Sequence, residues 1–419
     1  MDRQFIDKTI NQFLGQLRES GYHLKMDFTN APDHEKINFR KGVESQLGFI
    51  LKQNKNVFLS AQQQEELLNE LLSEITGFGP LDKLLNDPVI AEIMINGPKE
   101  VYVEKNGKIE PCDVGFRDRE HLDYFIEKIL NSSGKRLTQL EPYVDISLKD
   151  GSRVNIVRSS LATDSAKVTI RKFSKHITKI EDLIDLGSLD HNAAKFLAAC
   201  AASKLNILIS GGASTGKTTL LNVLINFIPP EERVVIIEDT REIRSSRKNT
   251  IFLETKTPNM EGKGAVTMRD LVKNSLHMRP DRIIVGEVRS SEVLDMIQAM
   301  NSGHEGSLST VHANSALETL DRLEMIVLME NANISSNVAK KYLIRAFDLI
   351  IHLTRVPDGS RRVSRISEVL KREEYSFQDI FIFDEMTGKL TFTGKIPEFY
   401  RKLNAQGKSS IEEKPFIFK

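Results

Sequence analysis

The segment 204–228, KLNILISGGASTGKTTLLNVLINFI, decides the fold of this 419-residue chain. Its first part, LNILIS, is a short apolar run typical of a buried strand, and TTLLNVLINF continues with the spacing of a helix. Between them, Gly211 to Thr218 match the pattern G-x-x-x-x-G-K-[ST] at every fixed position. Because the match lies between a strand and a helix, the sequence predicts a phosphate-binding loop.

The residue types of this loop suit an anionic ligand. Small residues allow backbone N–H groups to turn inward around phosphate oxygens, and the following helix presents its positive end to the same anion. Lys217 is expected to reach the β- and γ-phosphates of a nucleotide, and the hydroxyl of Thr218 to ligate Mg²⁺. The residues predicted to bind nucleotide here are Gly211, Gly212, Ala213, Ser214, Thr215, Gly216, Lys217, Thr218 and Thr219.

The composition argues against several classes of protein. Lys plus Arg equals Asp plus Glu at 58 each. The chain therefore lacks the net basic charge that would indicate nucleic-acid binding. The two cysteines, Cys112 and Cys200, form neither a CxxC pair nor a disulfide framework, which suits a reducing compartment. The polar N-terminus lacks the apolar core of a signal peptide, and no apolar run reaches the ~18–20 residues that span a bilayer. We therefore expect a cytoplasmic protein that meets a membrane only through partners.

The first part of the chain has a different pattern. Residues 62–78 place five apolar residues with the period of an amphipathic helix, namely Leu67, Leu68, Leu71, Leu72 and Ile75. Further on, two short β-like runs flank Asn106–Gly107, which is a good signal for a hairpin turn. A second turn signal, Asp150–Gly151, precedes more alternating strands.

From about residue 193, strands and helices alternate as in an α/β domain. FLAACAA at 196–202 is expected to be a buried helix. The predicted parts are a helical N-terminal segment at 1–75, a small α+β domain at 76–175, a linker at 176–192, and an α/β domain with a C-terminal extension at 193–419.

Acidic residues follow two further apolar runs. RVVIIEDTREI (233–243) ends a strand at Glu238 and Asp239, and RPDRIIVGEVR (279–289) ends one at Glu287. Acids placed at strand ends beside a phosphate loop hold Mg²⁺ and orient the attacking water; capping of the following helices is the alternative. The common nucleoside triphosphatase strand ends in Asp-Glu, but Gly286 stands in place of the Asp. Glu238 or Asp239 is therefore the candidate for the missing carboxylate.

The stretch GHEGSLSTVH (303–312) has a histidine near each end: His304 is its second residue and His312 its last. SLSTVH is predicted to be the next strand of the sheet, with its polar end near the γ-phosphate. Three interpretations are open. A metal site would need further ligands, a structural histidine is an alternative for His312, and the pattern favours a sensor of the γ-phosphate.

Together these motifs resemble the ATPases of type II and type IV secretion and pilus systems, and most of all the CpaF/TadA-like ATPases of Tad (Flp) pilus assembly. The similarity runs from about residue 76 to 382 and includes GFGPLDKLLNDPVIAEIMINGPKEVYVEKNGKIE, SGGASTGKTTLLNVL and MIQAMNSGHEGSLSTVHANSALETLDRLE. The resemblance implies a small N-terminal domain joined to a RecA-like ATPase domain, and assembly as a ring hexamer that hydrolyses ATP with Mg²⁺.

The resemblance also implies a role for each matching motif of the ATPase domain. IIEDTREI resembles the acidic Asp box, which places Glu238 near Mg²⁺ or water. Glu287, in a Walker B strand that carries Gly-Glu, corresponds to the general base or water-orienting residue and lies near the metal. GHEGSLSTVH resembles the His box, in which His304 and His312 respond to the nucleotide state.

In this family, arginines of the small domain reach the γ-phosphate. The matching positions are Arg153 in GSRVNIV and Arg171 in KVTIRKF. A guanidinium suits this role because it stays charged and offers a forked set of donors. An ordinary solvated arginine on a strand is the alternative.

Two departures from the family pattern bear on function. His277 stands where relatives usually carry arginine, which puts that arginine's contact in doubt. Only two distant cysteines exist, so the tetracysteine zinc subdomain of type II secretion ATPases is missing, which favours the Tad/type IV branch. The implied partners are polytopic inner-membrane platform proteins, without direct nucleic-acid contact. A conjugation motor and a nucleotide-gated scaffold with little turnover are the alternatives.

Overall fold

The computed structural model describes residues 3–19, 33–53, 59–148, 150–162, 164–173, 177–256, 258, 262–330, 333–405, 411–412 and 417–418. The chain forms two compact units, Met1–Ser174 and Lys175–Lys419. The helices of the first unit are α1 (Arg3–Glu19), α2 (Asp33–Gln53), α3 (Ala61–Thr76), α4 (Asp82–Asn86) and α5 (Arg119–Ser133), with a 3₁₀ turn at Gly79–Leu81. Its strands are β1 (Ile90–Gly97), β2 (Glu100–Lys105), β3 (Lys108–Cys112), β4 (Tyr143–Ser147), β5 (Arg153–Val157) and β6 (Lys167–Arg171).

The second unit alternates helices and strands. Its helices are α6 (Ile180–Asp185), α7 (His191–Ala202), α8 (Lys217–Ile225), α9 (Met268–Ser275), α10 (Glu292–Asn301), α11 (Glu318–Glu330), α12 (Ser336–Ala346) and α13 (Tyr400–Ala405), with a 3₁₀ turn at Leu276–Met278. Its strands are β7 (Ile207–Gly211), β8 (Val234–Glu238), β9 (Thr250–Glu254), β10 (Arg282–Val285), β11 (Leu308–His312), β12 (Leu349–Arg355), β13 (Arg361–Val369), β14 (Phe377–Asp384), β15 (Lys389–Phe392), β16 (Ile411–Glu412) and β17 (Ile417–Phe418).

The N-terminal helices pack against one another through apolar faces. Helix α3 begins after Ser60, whose hydroxyl accepts a hydrogen bond from the backbone N–H of Gln63 while the Gln63 side chain accepts one from the N–H of Ser60. This reciprocal cap satisfies two donors that the first helical turn leaves free. Leu67 and Leu71 are buried with side chains of α1 and α2. The helix predicted within 62–78 is therefore confirmed, and it ends at Thr76.

The small sheet of the first unit has the order β3-β2-β1-β6-β5-β4, and every neighbouring pair is antiparallel. Asn106 and Gly107 join β2 to β3 with φ values of 50° and 78°. Positive φ at both central residues is the signature of a type I′ hairpin turn, which Asn-Gly favours. Helix α5 covers the sheet and contributes buried Leu122 and Phe125 to its core.

A nine-stranded sheet forms the centre of the second unit, in the order β15-β14-β13-β12-β7-β11-β10-β8-β9. The six strands from β12 to β9 are parallel, and β13 to β15 extend the sheet in antiparallel fashion. Strands β7, β8 and β10 are buried along their whole length, since helices cover both faces of the sheet. Because β7, β8, β10 and β11 are parallel, their carboxyl ends lie at one edge of the sheet.

Two segments of this unit refine the sequence-based expectation. Residues 177–192, predicted as most of a linker, contain helix α6, and Ile180, Leu183 and Leu189 are buried in the core beneath the sheet. Their apolar side chains thus belong to the second unit. FLAACAA lies in α7, where Phe196 and Leu197 are fully buried. Among the described residues, no helix combines the length and apolar character that crossing a membrane requires.

Candidate nucleotide-binding site

The phosphate-binding loop connects β7 directly to α8. Gly211 and Gly216 have φ values of 152° and 96°, which glycine adopts far more readily than other residues. A Cβ at Gly211 would lie 2.5 Å from the carbonyl oxygen of Leu353 in the neighbouring strand β12. Gly216 is the residue before the first turn of α8, so the free N–H groups of that turn begin at the loop. The glycines of the motif are therefore required by the backbone.

Lys217 is buried and folds back over the loop. Its Nζ donates to the carbonyl oxygens of Gly211 at 3.1 Å and Gly212 at 2.7 Å, and lies 3.3 Å from Nδ1 of His312. Thr215 tightens the loop, because its hydroxyl donates to the carbonyl oxygen of Gly212 at 3.0 Å. The other predicted nucleotide ligands, Ala213, Ser214, Thr218 and Thr219, are half-buried or exposed along the same loop and the start of α8.

Glu238 ends β8 and is 5% exposed. One of its carboxylate oxygens, Oε1, accepts hydrogen bonds from the backbone N–H groups of Glu242 at 3.0 Å and Ile243 at 3.1 Å. A Cβ placed on Gly286 would lie only 2.8 Å from Cγ of Glu238. The Glu238 side chain therefore fills the space that a residue larger than glycine would need at position 286. An Asp at position 286 would therefore collide with Glu238 as it is placed here.

Asp239, the other candidate for the missing carboxylate, is oriented differently. Its Oδ1 accepts a hydrogen bond from the hydroxyl of Thr255 at 3.3 Å, and its Oδ2 lies 3.8 Å from a guanidinium nitrogen of Arg289. Its side chain is half exposed, whereas that of Glu238 is buried against Gly286. Of the two acids, Glu238 is thus the one held beside the Walker B strand.

Glu287 follows β10 at the same edge of the sheet. Its Oε1 lies 2.7 Å from Nε2 of His312, and its Oε2 accepts a hydrogen bond from Nε of Arg289 at 2.7 Å. A second guanidinium nitrogen of Arg289 contacts the same oxygen. Arg289 is a neighbour of the site that the sequence motifs do not identify. Its place two residues after Glu287, beyond the strand end, is the signal that could have found it.

The structure separates the two histidines of GHEGSLSTVH. His312 ends β11 beside Lys217 and Glu287, whereas His304 precedes the strand, where its backbone N–H and Nδ1 both lie 3.3 Å from the carbonyl oxygen of Ala299. The five-residue strand β11 alone spans about 13 Å. Contrary to expectation, His304 therefore lies at the amino edge of the sheet, away from the phosphate loop.

This separation also bears on the interpretation of the two histidines as metal ligands. His304 precedes β11 and His312 ends it, so the two histidines cannot bind one ion together. No group of three or more His, Cys, Asp or Glu residues among the described positions has an arrangement that could hold a metal ion. Burial and the neighbouring ammonium of Lys217 lower the pKa of His312, although the Glu287 carboxylate opposes them. His312 is thus neutral near pH 7.

In the first unit, Arg153 and Arg171 lie directly opposite each other on β5 and β6. Arg171 has one further neighbour in the same row, because its Nε lies 3.7 Å from Oε1 of Glu92 on β1. Like charges facing each other across a sheet are destabilising. The carboxylate of Glu92 offsets part of this repulsion at Arg171. His277, the residue at a usual arginine position, is exposed in the 3₁₀ turn after α9.

A buried parallel sheet with a phosphate loop and acids at one edge defines a P-loop nucleotide-binding protein of the RecA-like kind. The chain belongs to the family described as Type II/IV secretion system protein, which matches residues 74–377. It is 30% identical over 295 residues to the conjugal transfer protein TrbB of Rhizobium radiobacter, covering 70% of this chain and 86% of that protein. It is 27% identical over 342 residues to the type IV secretion system protein VirB11 of Bartonella quintana, covering 73% and 96%.

Among solved structures, the X-ray structure of the Yersinia pseudotuberculosis ATPase DotB is similar with a TM-score of 0.50 and 16% identity. The match covers 75% of this chain and 81% of that protein, and it concerns the fold. The predicted fold class is confirmed: an α/β RecA-like domain is preceded by a small α+β domain and N-terminal helices.

Proposed function

We propose that this protein is an Mg²⁺-dependent ATPase that works as a hexameric motor, powering Tad (Flp)-type pilus assembly or protein secretion across the inner membrane. One observation carries the proposal of ATP hydrolysis. Lys217, Glu238 and Glu287 lie at one edge of a parallel sheet, and His312 contacts both Lys217 and Glu287. Membership in the Type II/IV secretion system family supports the setting. The protein would be cytoplasmic and reach the membrane through polytopic platform proteins.

In the proposed reaction, the loop N–H groups and Lys217 bind the β- and γ-phosphates of ATP. Water attacks the γ-phosphorus, its oxygen forms the new P–O bond, and the bond to the β–γ bridging oxygen breaks, which leaves ADP and inorganic phosphate. Glu287 orients this water and accepts its proton. Thr218, Glu238 and Glu287 are the residues that would hold Mg²⁺, which neutralises phosphate charge when bound. The hydroxyl and carboxylate oxygens of these residues are suitable ligands for it.

We assign Arg153 and Arg171 to the γ-phosphate, because they match the arginines that reach it in the resembling family and lie opposite each other on β5 and β6, where two guanidinium groups can bind one anion together. Loss of the γ-phosphate would release these arginines and His312. The small domain would then rotate relative to the ATPase domain, a hinge motion of the kind that ligands commonly drive. In a ring of six chains, such rotations would push on the inner-membrane platform proteins and move the pilin or secreted cargo.

The test is ATP hydrolysis measured on size-resolved protein for the wild type, Lys217→Ala and Glu287→Gln. Glu254→Gln is the matched control, because Glu254 also ends a parallel strand, opposite Glu238, but is exposed on the edge strand β9. We expect Mg²⁺-dependent turnover in the ring fraction of the wild type and of Glu254→Gln, and its loss in the other two variants. Absence of turnover in every fraction would contradict the proposal. ATP binding without turnover would favour a nucleotide-gated scaffold.

The second candidate is a motor for conjugal DNA transfer, which the name of the relative TrbB favours. The equal numbers of basic and acidic residues argue only weakly against direct DNA contact, because a local basic patch is compatible with them. Binding of double-stranded DNA at several salt concentrations distinguishes the two. Affinity that falls steeply with salt would favour the conjugation motor, and lack of binding would favour the pilus or secretion motor.

A further inference from the structure

The hairpin that joins β12 to β13 lies beside the phosphate loop, on the side of β7 away from Glu287. Leu353 on β12 pairs with Gly211, and Arg361 begins β13. A Cβ placed on Gly216 would lie 3.8 Å from Cδ of Arg361. The aliphatic part of the Arg361 side chain therefore packs over the residue that precedes the first turn of α8, where the phosphate groups of a nucleotide are expected.

The backbone of the same residue is tied to another segment. The hydroxyl of Ser188 donates to the carbonyl oxygen of Arg361 at 2.6 Å, and the N–H of Val363 donates to the carbonyl oxygen of Ser188 at 3.0 Å. A guanidinium nitrogen of Arg362 also donates to the carbonyl oxygen of Leu186 at 3.2 Å. These three hydrogen bonds fasten residues 186–188, between α6 and α7, to the start of β13.

We propose that Arg361 is a nucleotide-binding residue whose guanidinium contacts the phosphates of a bound nucleoside diphosphate. Through the hydrogen bonds of Ser188, it also conveys the occupancy of the phosphate loop to residues 186–188. This inference rests on the proposed nucleotide site. A guanidinium is always charged and presents forked donors that match phosphate oxygens. The position at the start of α8 adds the positive end of the helix to this charge. Residues 186–188 follow helix α6, within the second unit.

The first test measures ADP binding to the full chain by calorimetry for the wild type, Arg361→Gln and Arg361→Lys. Arg365→Gln is the matched control, because Arg365 lies on the same strand and pairs with Asp379 at 2.8 Å. Hydrogen bonds to charged groups are worth enough to change affinity about tenfold or more. We expect a loss of about that size in Arg361→Gln, a smaller loss in Arg361→Lys, and wild-type affinity in Arg365→Gln.

The second test measures amide hydrogen exchange of residues 183–189 with and without ADP. We expect ADP to slow exchange in the wild type and in Arg365→Gln, but not in Arg361→Gln. Ser188→Ala should bind ADP normally and lose the effect on exchange. Lys217→Ala separates the two proposals. If Lys217→Ala loses ADP binding while Arg361→Gln binds like the wild type, the inference about Arg361 is wrong; if the wild type itself does not bind ADP, the proposed function fails.

Discussion

Nε2 of His312 lies 2.7 Å from Oε1 of Glu287, while Nδ1 of the same ring lies 3.3 Å from Nζ of Lys217. An ammonium group only donates hydrogen bonds, so Nδ1 is the accepting nitrogen and the proton of the neutral ring is on Nε2. Nε2 is also the ring nitrogen nearest the carboxylate of Glu287, although its N–H is not aligned for a hydrogen bond to Oε1. One neutral imidazole thus connects the phosphate loop to the acid that we assign to the attacking water.

Substitutions at His312 can separate these two contacts. The amide of Asn lies near the position of Nδ1, whereas the longer Gln reaches the position of Nε2. We expect His312→Asn to lower kcat about tenfold or more, since a positioned partner of the water-orienting acid is lost, and His312→Gln to lower it less. Steady-state ATP hydrolysis at saturating ATP measures both. Equal losses would show that the contact to Glu287 does not matter for turnover.

The same residue predicts the pH dependence. Burial and Lys217 lower the pKa of His312 below the ordinary value of about 6.5. Because the folded-state pKa is lower than the unfolded one, protonation of His312 costs stability as the pH falls below about 6.5, and it places a cation beside Lys217. We expect ATPase activity to be flat near neutral pH and to fall in a step whose midpoint is below that value. The His312→Gln variant should lack this step, and a midpoint above neutrality would contradict the assignment.

Gly286 provides a test of the space beside Glu238. A Cβ there would lie 2.8 Å from Cγ of Glu238, a distance that requires the carboxylate or the strand to move. We expect Gly286→Ala to destabilise the second unit by about 1–3 kcal/mol, as overpacking of a core does, and to reduce turnover. Gly48→Ala is the control, because a Cβ on this residue of α2 has no heavy atom within 4 Å. Native-state hydrogen exchange of peptides from β8 and β10 reports on the second unit, and an unchanged free energy of opening in Gly286→Ala would mean that Glu238 moves aside freely.

The features that the sequence predicts correctly are those that local residue patterns determine. Glycines with positive φ define the phosphate loop. In the first unit, Asn106–Gly107 forms the hairpin turn between β2 and β3 without help from distant residues. The position of His304 depends instead on the residue at which β11 begins, and a strand boundary is poorly specified by local pattern. The contact between Arg361 and the loop joins residues 145 positions apart, so it depends on the order of strands in the sheet.

The last prediction concerns the stability of the second unit and a buried arginine, Arg282, at the amino edge of its sheet. Arg282 is fully buried, its Nε lies 2.5 Å from Oε2 of Glu232, and its Nη1 donates to the carbonyl oxygen of Ala201 at 2.5 Å. Removing one partner of a buried ion pair leaves an uncompensated charge and costs about 3–5 kcal/mol, whereas a more exposed pair contributes about 1 kcal/mol or less. We therefore expect Arg282→Met to destabilise the second unit severely and Arg365→Gln to have little effect.

Because the chain has two units, a single unfolding midpoint would mix their stabilities. Native-state hydrogen exchange of peptides from β7 and β10 isolates the second unit and gives its local free energy of opening. The double variant Glu232→Gln/Arg282→Met identifies the cause. If the loss in Arg282→Met comes from the Glu232 carboxylate, whose other cation, Nζ of Lys204, lies 3.9 Å away, neutralising Glu232 should recover a large part of the opening free energy. A double variant as unstable as Arg282→Met would show that the carbonyl groups of α7, which Arg282 also caps, are the larger contribution.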